Sequence, residues 1–302
     1  MHRPAKMVHL SDGLPERILA EIGRQDMPDH SDVPLFDSLT HPTPTGAWLH
    51  ERYGSGNTVK SLLGQMEANN VRWAFTVGMQ EVGGYEEATY AAYISGASDA
   101  LLPVAFLSPV RLGKTKDIED YLSSLVNLGY RGIKIHPRHA KITLDNPGLP
   151  EAIAIANRLG LVVLLCTYFW ESSSRACRNN MTALHELLAA VPHERVILLH
   201  GGAVRLMECL EMARTFRNVL LDVSFTLCKY AGSSLDFDIK YVFKNFDRRT
   251  CVGSDSPEFS LDTFRERFNF FAGELPKEKV ENIAYRNLVS HLESLGHGLG
   301  RT

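Results

Sequence analysis

The chain has 302 residues and a formal net charge of −3, with 44% apolar and 22% charged residues. That composition supports a sizeable core in one large α/β barrel or two ordinary domains. It offers no basic stripe for nucleic acid, no apolar signal core at its start and no run near the roughly 20 apolar residues that span a bilayer, so a cytoplasmic protein is expected.

Short runs rich in Val, Ile and Leu recur along the chain: "PLFDSL" (34–39), "VRWAFTV" (71–77), "LLPVAFL" (101–107), "GIKIH" (132–136), "LVVLLC" (161–166), "RVILLH" (195–200), "NVLLDV" (218–223) and "TCVGSD" (250–255). Most are continuous rather than alternating, as in parallel strands covered on both faces. Segments of helical spacing separate them, from "NTVKSLLGQMEANN" before the second run to "DFDIKYVFKNF" before the eighth. "LDTFRERFNFFAG" and "PKEKVENIAYRNLVSHL" follow it. Asn146 with Pro147 reads as a helix entry, and Gly129 and Gly160 as helix stops. Eight such units predict a single-domain (β/α)8 TIM barrel over 34–302, with residues 1–33 as an N-terminal extension packed outside it. An open doubly wound sheet is the alternative, but no Gly-rich fingerprint follows the first run. The five cysteines, Cys166, Cys177, Cys209, Cys228 and Cys251, are odd in number and widely spaced, so free thiols are expected rather than disulfides or a zinc ribbon.

In such a barrel the functional face lies at the C-terminal ends of the strands. The first run closes with Asp37 and His41, the fourth with Lys134 and His136, the fifth with Cys166 and Thr167, the sixth with His200, and the eighth with Ser254 and Asp255. Imidazole and carboxylate suit a zinc-like ion with one open position for water. A carboxylate beside that water can take its proton. Each residue also has a structural reading. A strand-end histidine such as His136 can bond a backbone group, Asp255 can cap the turn before Pro257, and Lys134 can sit in an ion pair or bind a carboxylate.

"FDSLTHP", "RGIKIHP", "VILLHGGA", "CVGSDSP" and "ENIAYRNLVSHL" resemble, in order and spacing, the amidohydrolase-2 branch of the amidohydrolase superfamily. The resemblance implies a metal-assisted barrel that hydrolyses C–N or C–O bonds or decarboxylates small acids. Its D-x-H-x-H motif places Asp37 at the leading acid and His41 at the second histidine. His200 matches the strand-six histidine and Asp255 the strand-eight aspartate. Two positions depart: Leu39 stands at the first histidine and Cys166 at the strand-five histidine.

Three readings follow. In the first, a divalent metal, zinc by preference, is held by His41, Cys166, His200 and Asp255. Asp255, His200 and His136 are catalytic, and Lys134 and Arg138 grip the carboxylate of a small carboxylate, amide or lactone substrate. The second is metal-free lactonase-type chemistry, or nonoxidative decarboxylation, in the same barrel. The third is a non-catalytic barrel that binds a metabolite or a protein. Nothing in the sequence fixes the oligomeric state; frequency alone favours a homodimer.

Overall fold

A computed structural model describes residues 30–49, 53–172 and 178–299. Eight parallel strands follow one another around a single sheet in chain order. They are β1 Leu35–Thr40, β2 Val71–Val77, β3 Leu101–Phe106, β4 Gly132–Ile135, β5 Val162–Cys166, β6 Val196–Leu199, β7 Val219–Asp222 and β8 Thr250–Cys251. The ring closes through β1. Ser38 N–H donates to Val252 O (3.0 Å), Asp255 N–H to Leu39 O (2.9 Å) and His41 N–H to Ser256 O (2.8 Å). The chain is therefore a TIM barrel, as the spacing of the apolar runs predicts.

Helices cover the outer face. Their ends follow from local chemistry: Thr58 caps Val59–Ala68 by accepting from Ser61 N–H at 3.2 Å, and Asn180 caps Met181–Ala190 by accepting from Ala183 N–H at 3.0 Å. Asn146 Oδ1 accepts from Gly148 N–H (2.9 Å) at the entry of Gly148–Arg158. Gly129 and Gly160 take φ of 91° and 81° just beyond their helices, the left-handed turn expected of a helix stop.

Alternation along each strand decides what faces the axis. On β5, Val163 and Leu165 pack outward against the helices, whereas Val162 and Leu164 join Phe36, Leu39, Phe75 and Ile197 inside the barrel. On β4, Ile133 and Ile135 are outward. The same parity turns Lys134, His136 and Cys166 inward.

The eighth run departs from expectation: only Thr250–Cys251 is strand, and 252–255 continue as irregular backbone bonded to β1. The reason is the approach at Gly253. A Cβ there would meet Asp37 Oδ1 at 2.9 Å and Leu39 N at 3.0 Å, with Ser38 Oγ nearer still. Asp37 clamps this crossing, its buried carboxylate accepting from Ser254 N–H (2.9 Å), Ser254 Oγ (2.6 Å) and Leu39 N–H (3.1 Å). Burial pushes the Asp37 carboxyl up to about 7 against those bonds.

Of the cysteines, Cys166, Cys209, Cys228 and Cys251 are free and buried, while Cys177 lies outside the described residues. Residues 1–29 of the expected N-terminal extension also lie outside them. No helix among the described residues is long and apolar enough to cross a membrane.

Candidate active site at the C-terminal end of the barrel

The strand-end residues meet. His41 Nε2 lies 3.4 Å from Asp255 Oδ1 and 3.2 Å from Lys134 Nζ. Cys166 sits against the imidazoles of both His136 and His200, and Lys134 and Asp255 are close enough to act on this group through charge. Residues 41, 134, 136, 166, 200 and 255 thus share one pocket although they come from five strands. All are buried, and Asp255, at 9% exposure, is the most open of them.

Hydrogen bonds assign the ring protons. Nδ1 of His41 is 2.9 Å from Val77 O. A carbonyl only accepts, so a neutral His41 carries its proton on Nδ1 and offers a lone pair at Nε2. Burial, aided by the Lys134 charge, lowers this imidazole to about 4, so it is neutral at pH 7. His136 Nδ1 accepts from His139 N–H (3.4 Å), which puts its proton on Nε2, toward Cys166. Burial lowers His136 to about 4 as well. His200 Nδ1 is 3.2 Å from Ser224 O.

The remaining groups pair by charge. Burial works against ionisation of Cys166, but the charges and hydrogen bonds of His136 and His200 outweigh it and hold the thiol well below its ordinary range. Burial likewise opposes an imidazolium at His200, and Cys166 reverses that, raising His200 above the usual histidine value. Burial would raise Asp255, yet His41, His200 and Lys134 hold it at about 2. With His41 neutral, that ionised form rests on His200 and Lys134. Burial lowers Lys134, with Asp255 and Cys166 acting to restore its charge.

The backbone is strained where these groups stand. His200 (φ 67°), Phe225 (φ 62°) and Asp255 (φ 57°) are left-handed non-glycine residues, a conformation that clusters at functional sites. After His200, Gly201 and Gly202 continue at positive φ. A Cβ on Gly202 would meet Cys209 Sγ at 2.8 Å and Met181 Cε at 2.9 Å, so the turn needs glycine there.

Several contributors escaped sequence reasoning. Asp222, at the end of β7, accepts from His200 N–H (3.1 Å), Ser224 N–H (3.0 Å) and the hydroxyls of Ser38 and Ser224, fixing the His200 turn. It closes an apolar run just as the other candidates do, and that signal would have found it. Trp48 stacks on His41 (centroids 4.8 Å apart, 28° between planes), and Phe225 meets His200 edge-on at 5.7 Å. Both lie on loops without periodicity. Arg138 is set apart from Lys134: its guanidinium lies over the Tyr168 ring at 4.4 Å, and its Nε is buried with no protein partner.

A family model described as Amidohydrolase, of the amidohydrolase-2 type, matches residues 33–287. The chain belongs to this amidohydrolase family. No curated protein matches the sequence. Among solved structures, an uncharacterized TIM-barrel protein from Bordetella bronchiseptica, Bb4693, is 18% identical, with 87% of this chain and 100% of that chain covered and a TM-score of 0.74. A putative amidohydrolase from Staphylococcus aureus is 15% identical over 86% of this chain and 99% of that chain, with a TM-score of 0.60. A 5-carboxyvanillate decarboxylase from Novosphingobium aromaticivorans, complexed with manganese and 4-hydroxy-3-methoxy-5-nitrobenzoic acid, is 11% identical over 88% of this chain and 98% of that chain, with a TM-score of 0.58. At these identities the likeness is one of fold. Members of the amidohydrolase family are hydrolases or decarboxylases, and they often bind a divalent metal.

The residues of this chain do not fit such an ion. Leu39 replaces one imidazole and is buried in the barrel interior. The lone pair of His41 is engaged by Lys134. Among the described residues, no three His, Cys, Asp or Glu side chains are arranged to hold a metal.

Proposed function

We propose that this barrel hydrolyses a small lactone, ester or amide that carries a carboxylate, with Asp255 as general base. The carrying observation is the setting of Asp255. It is ionised, it is the most open group of the set, and the charges of His200 and Lys134 act on it. Water at Asp255 gives up a proton to the carboxylate as its oxygen attacks the carbonyl carbon. The charge that develops on the carbonyl oxygen is met by His200 and Lys134, whose positive charge acts at Asp255. Collapse breaks the C–O or C–N bond, and Asp255 returns the proton to the leaving atom. Arg138, with an unpartnered Nε beside Tyr168, grips the substrate carboxylate. No step runs through a metal.

Nonoxidative decarboxylation is the second reading, favoured by one observation. Tyr168 packs edge-on against Phe225 (5.4 Å), and Phe225 lies 5.8 Å from Phe259, so aromatic faces stand next to the Arg138 guanidinium. Such surroundings suit a planar aryl carboxylate.

The test is turnover on a panel of carboxylate-bearing lactones, esters, amides and aryl acids after dialysis against EDTA. Hydrolysis that persists in the dialysed enzyme and is lost in Asp255→Asn supports the first reading. Carbon dioxide release from an aryl acid, with no hydrolysis, moves the assignment to the second. Undiminished turnover in Asp255→Asn overturns the role given to that residue.

A further inference from the structure

Two acceptor atoms face each other in the site, His41 Nε2 and Asp255 Oδ1, 3.4 Å apart. His41 spends its one ring proton on Val77 O, so Nε2 presents a lone pair to a carboxylate. Two such atoms repel at this distance unless positive charge stands near them. Lys134 is the side chain that answers this need. Its Nζ is 3.2 Å from His41 Nε2, it is buried at 2% exposure, and Asp255, Cys166 and Asp222 act to keep its charge against burial and the charge of Arg138. An ammonium has three N–H donors and no lone pair, so it donates to the imidazole while its charge acts on the carboxylate.

We infer that Lys134, with Nζ on the lone pair of His41 Nε2 beside Asp255, takes up the nitrogen that the amidohydrolase motif gives to a divalent ion, so that the pocket excludes the metal. Leu39 completes the exchange. A metal entering here would have to displace a buried ammonium. It would also find a hydrocarbon where the motif supplies an imidazole. The inference does not depend on the reaction and holds for hydrolysis or decarboxylation alike.

The experiment measures metal uptake and leaves turnover aside. Wild-type protein, Lys134→Met and the double variant Leu39→His/Lys134→Met are freed of metal, dialysed against ZnCl2 or MnCl2, and analysed for bound ion. Methionine keeps the unbranched stem and removes the charge. The expected result is substoichiometric metal in the wild type, with the double variant binding zinc at least about tenfold more tightly. Stoichiometric uptake by the wild type, as tight as in the double variant, overturns the inference. A second measurement needs no variant. In the imidazole 15N spectrum of the wild type, the Nε2 resonance of His41 is expected to be that of an unprotonated, hydrogen-bonded nitrogen and to stay in place on addition of ZnCl2. A shift of that resonance to a metal-bound position overturns the inference even if the substituted proteins do not fold.

Discussion

The backbone N–H of Asp255 donates to the carbonyl of Leu39 at 2.9 Å. One hydrogen bond thus joins the eighth strand's end to the first and places the candidate base beside His41. Closing the barrel and building the site are the same act here, because the residues that seal the ring lie within a few positions of those that carry the chemistry.

Substitution at Gly253 tests that coupling. In Gly253→Ala the new methyl would crowd Asp37 Oδ1 and Leu39 N. Overpacking of this kind costs about 1–3 kcal/mol. The expected outcome is a lower urea midpoint together with a loss of turnover, since any shift of 252–254 moves Asp255. Full activity in a destabilised variant would separate closure from the site.

Arg138 is expected to act in binding. Arg138→Gln should raise KM for a carboxylate-bearing substrate by about 10- to 100-fold, the worth of a hydrogen bond to a charged group, with kcat little changed. The same variant should not discriminate against an uncharged analogue of that substrate. Steady-state kinetics on the matched pair checks this. An equal loss on both analogues would assign Arg138 to packing on Tyr168 instead.

His291 provides a stability test away from the site. It is buried, and desolvation, with the charge of Arg195, lowers its imidazole to about 3. The unfolded chain therefore binds a proton between about pH 6.5 and pH 3 that the folded chain does not. Stability from this group is present above pH 6.5 and is lost as pH falls through that window, by about 1.4 kcal/mol per pH unit at most. Relative to wild type, His291→Gln should have a shallower dependence of unfolding free energy on pH across that range. Identical slopes would contradict the depressed value. Asp37, raised to about 7, works in the opposite sense and leaves the comparison intact because both proteins share it.

Much of this arrangement is legible in the sequence. Parallel strands covered on both faces leave continuous apolar runs, and polar residues at their ends have one place to go. That reasoning puts His41, Lys134, His136, Cys166, His200 and Asp255 at one end of the barrel. What it could not show was pairing. Asp37 looks like a ligand in "FDSLTHP", but its partner Ser254 is 217 residues away, and only their bonds make it a clamp. Lys134 and Arg138 look alike as cations four residues apart. Strand parity sends one into the barrel, and the turn after β4 sets the other over Tyr168. Trp48 and Phe225 were invisible because irregular loops carry no period from which a facing side can be deduced.

The most direct test of the proposed site is anomalous diffraction at the zinc edge from crystals grown with ZnCl2. The expected map shows Lys134 Nζ against His41 Nε2, with no anomalous peak between His41 and Asp255. A strong peak bonded to His41 and Asp255, with Lys134 turned away, would contradict both the metal-free reading and the part given to its lysine.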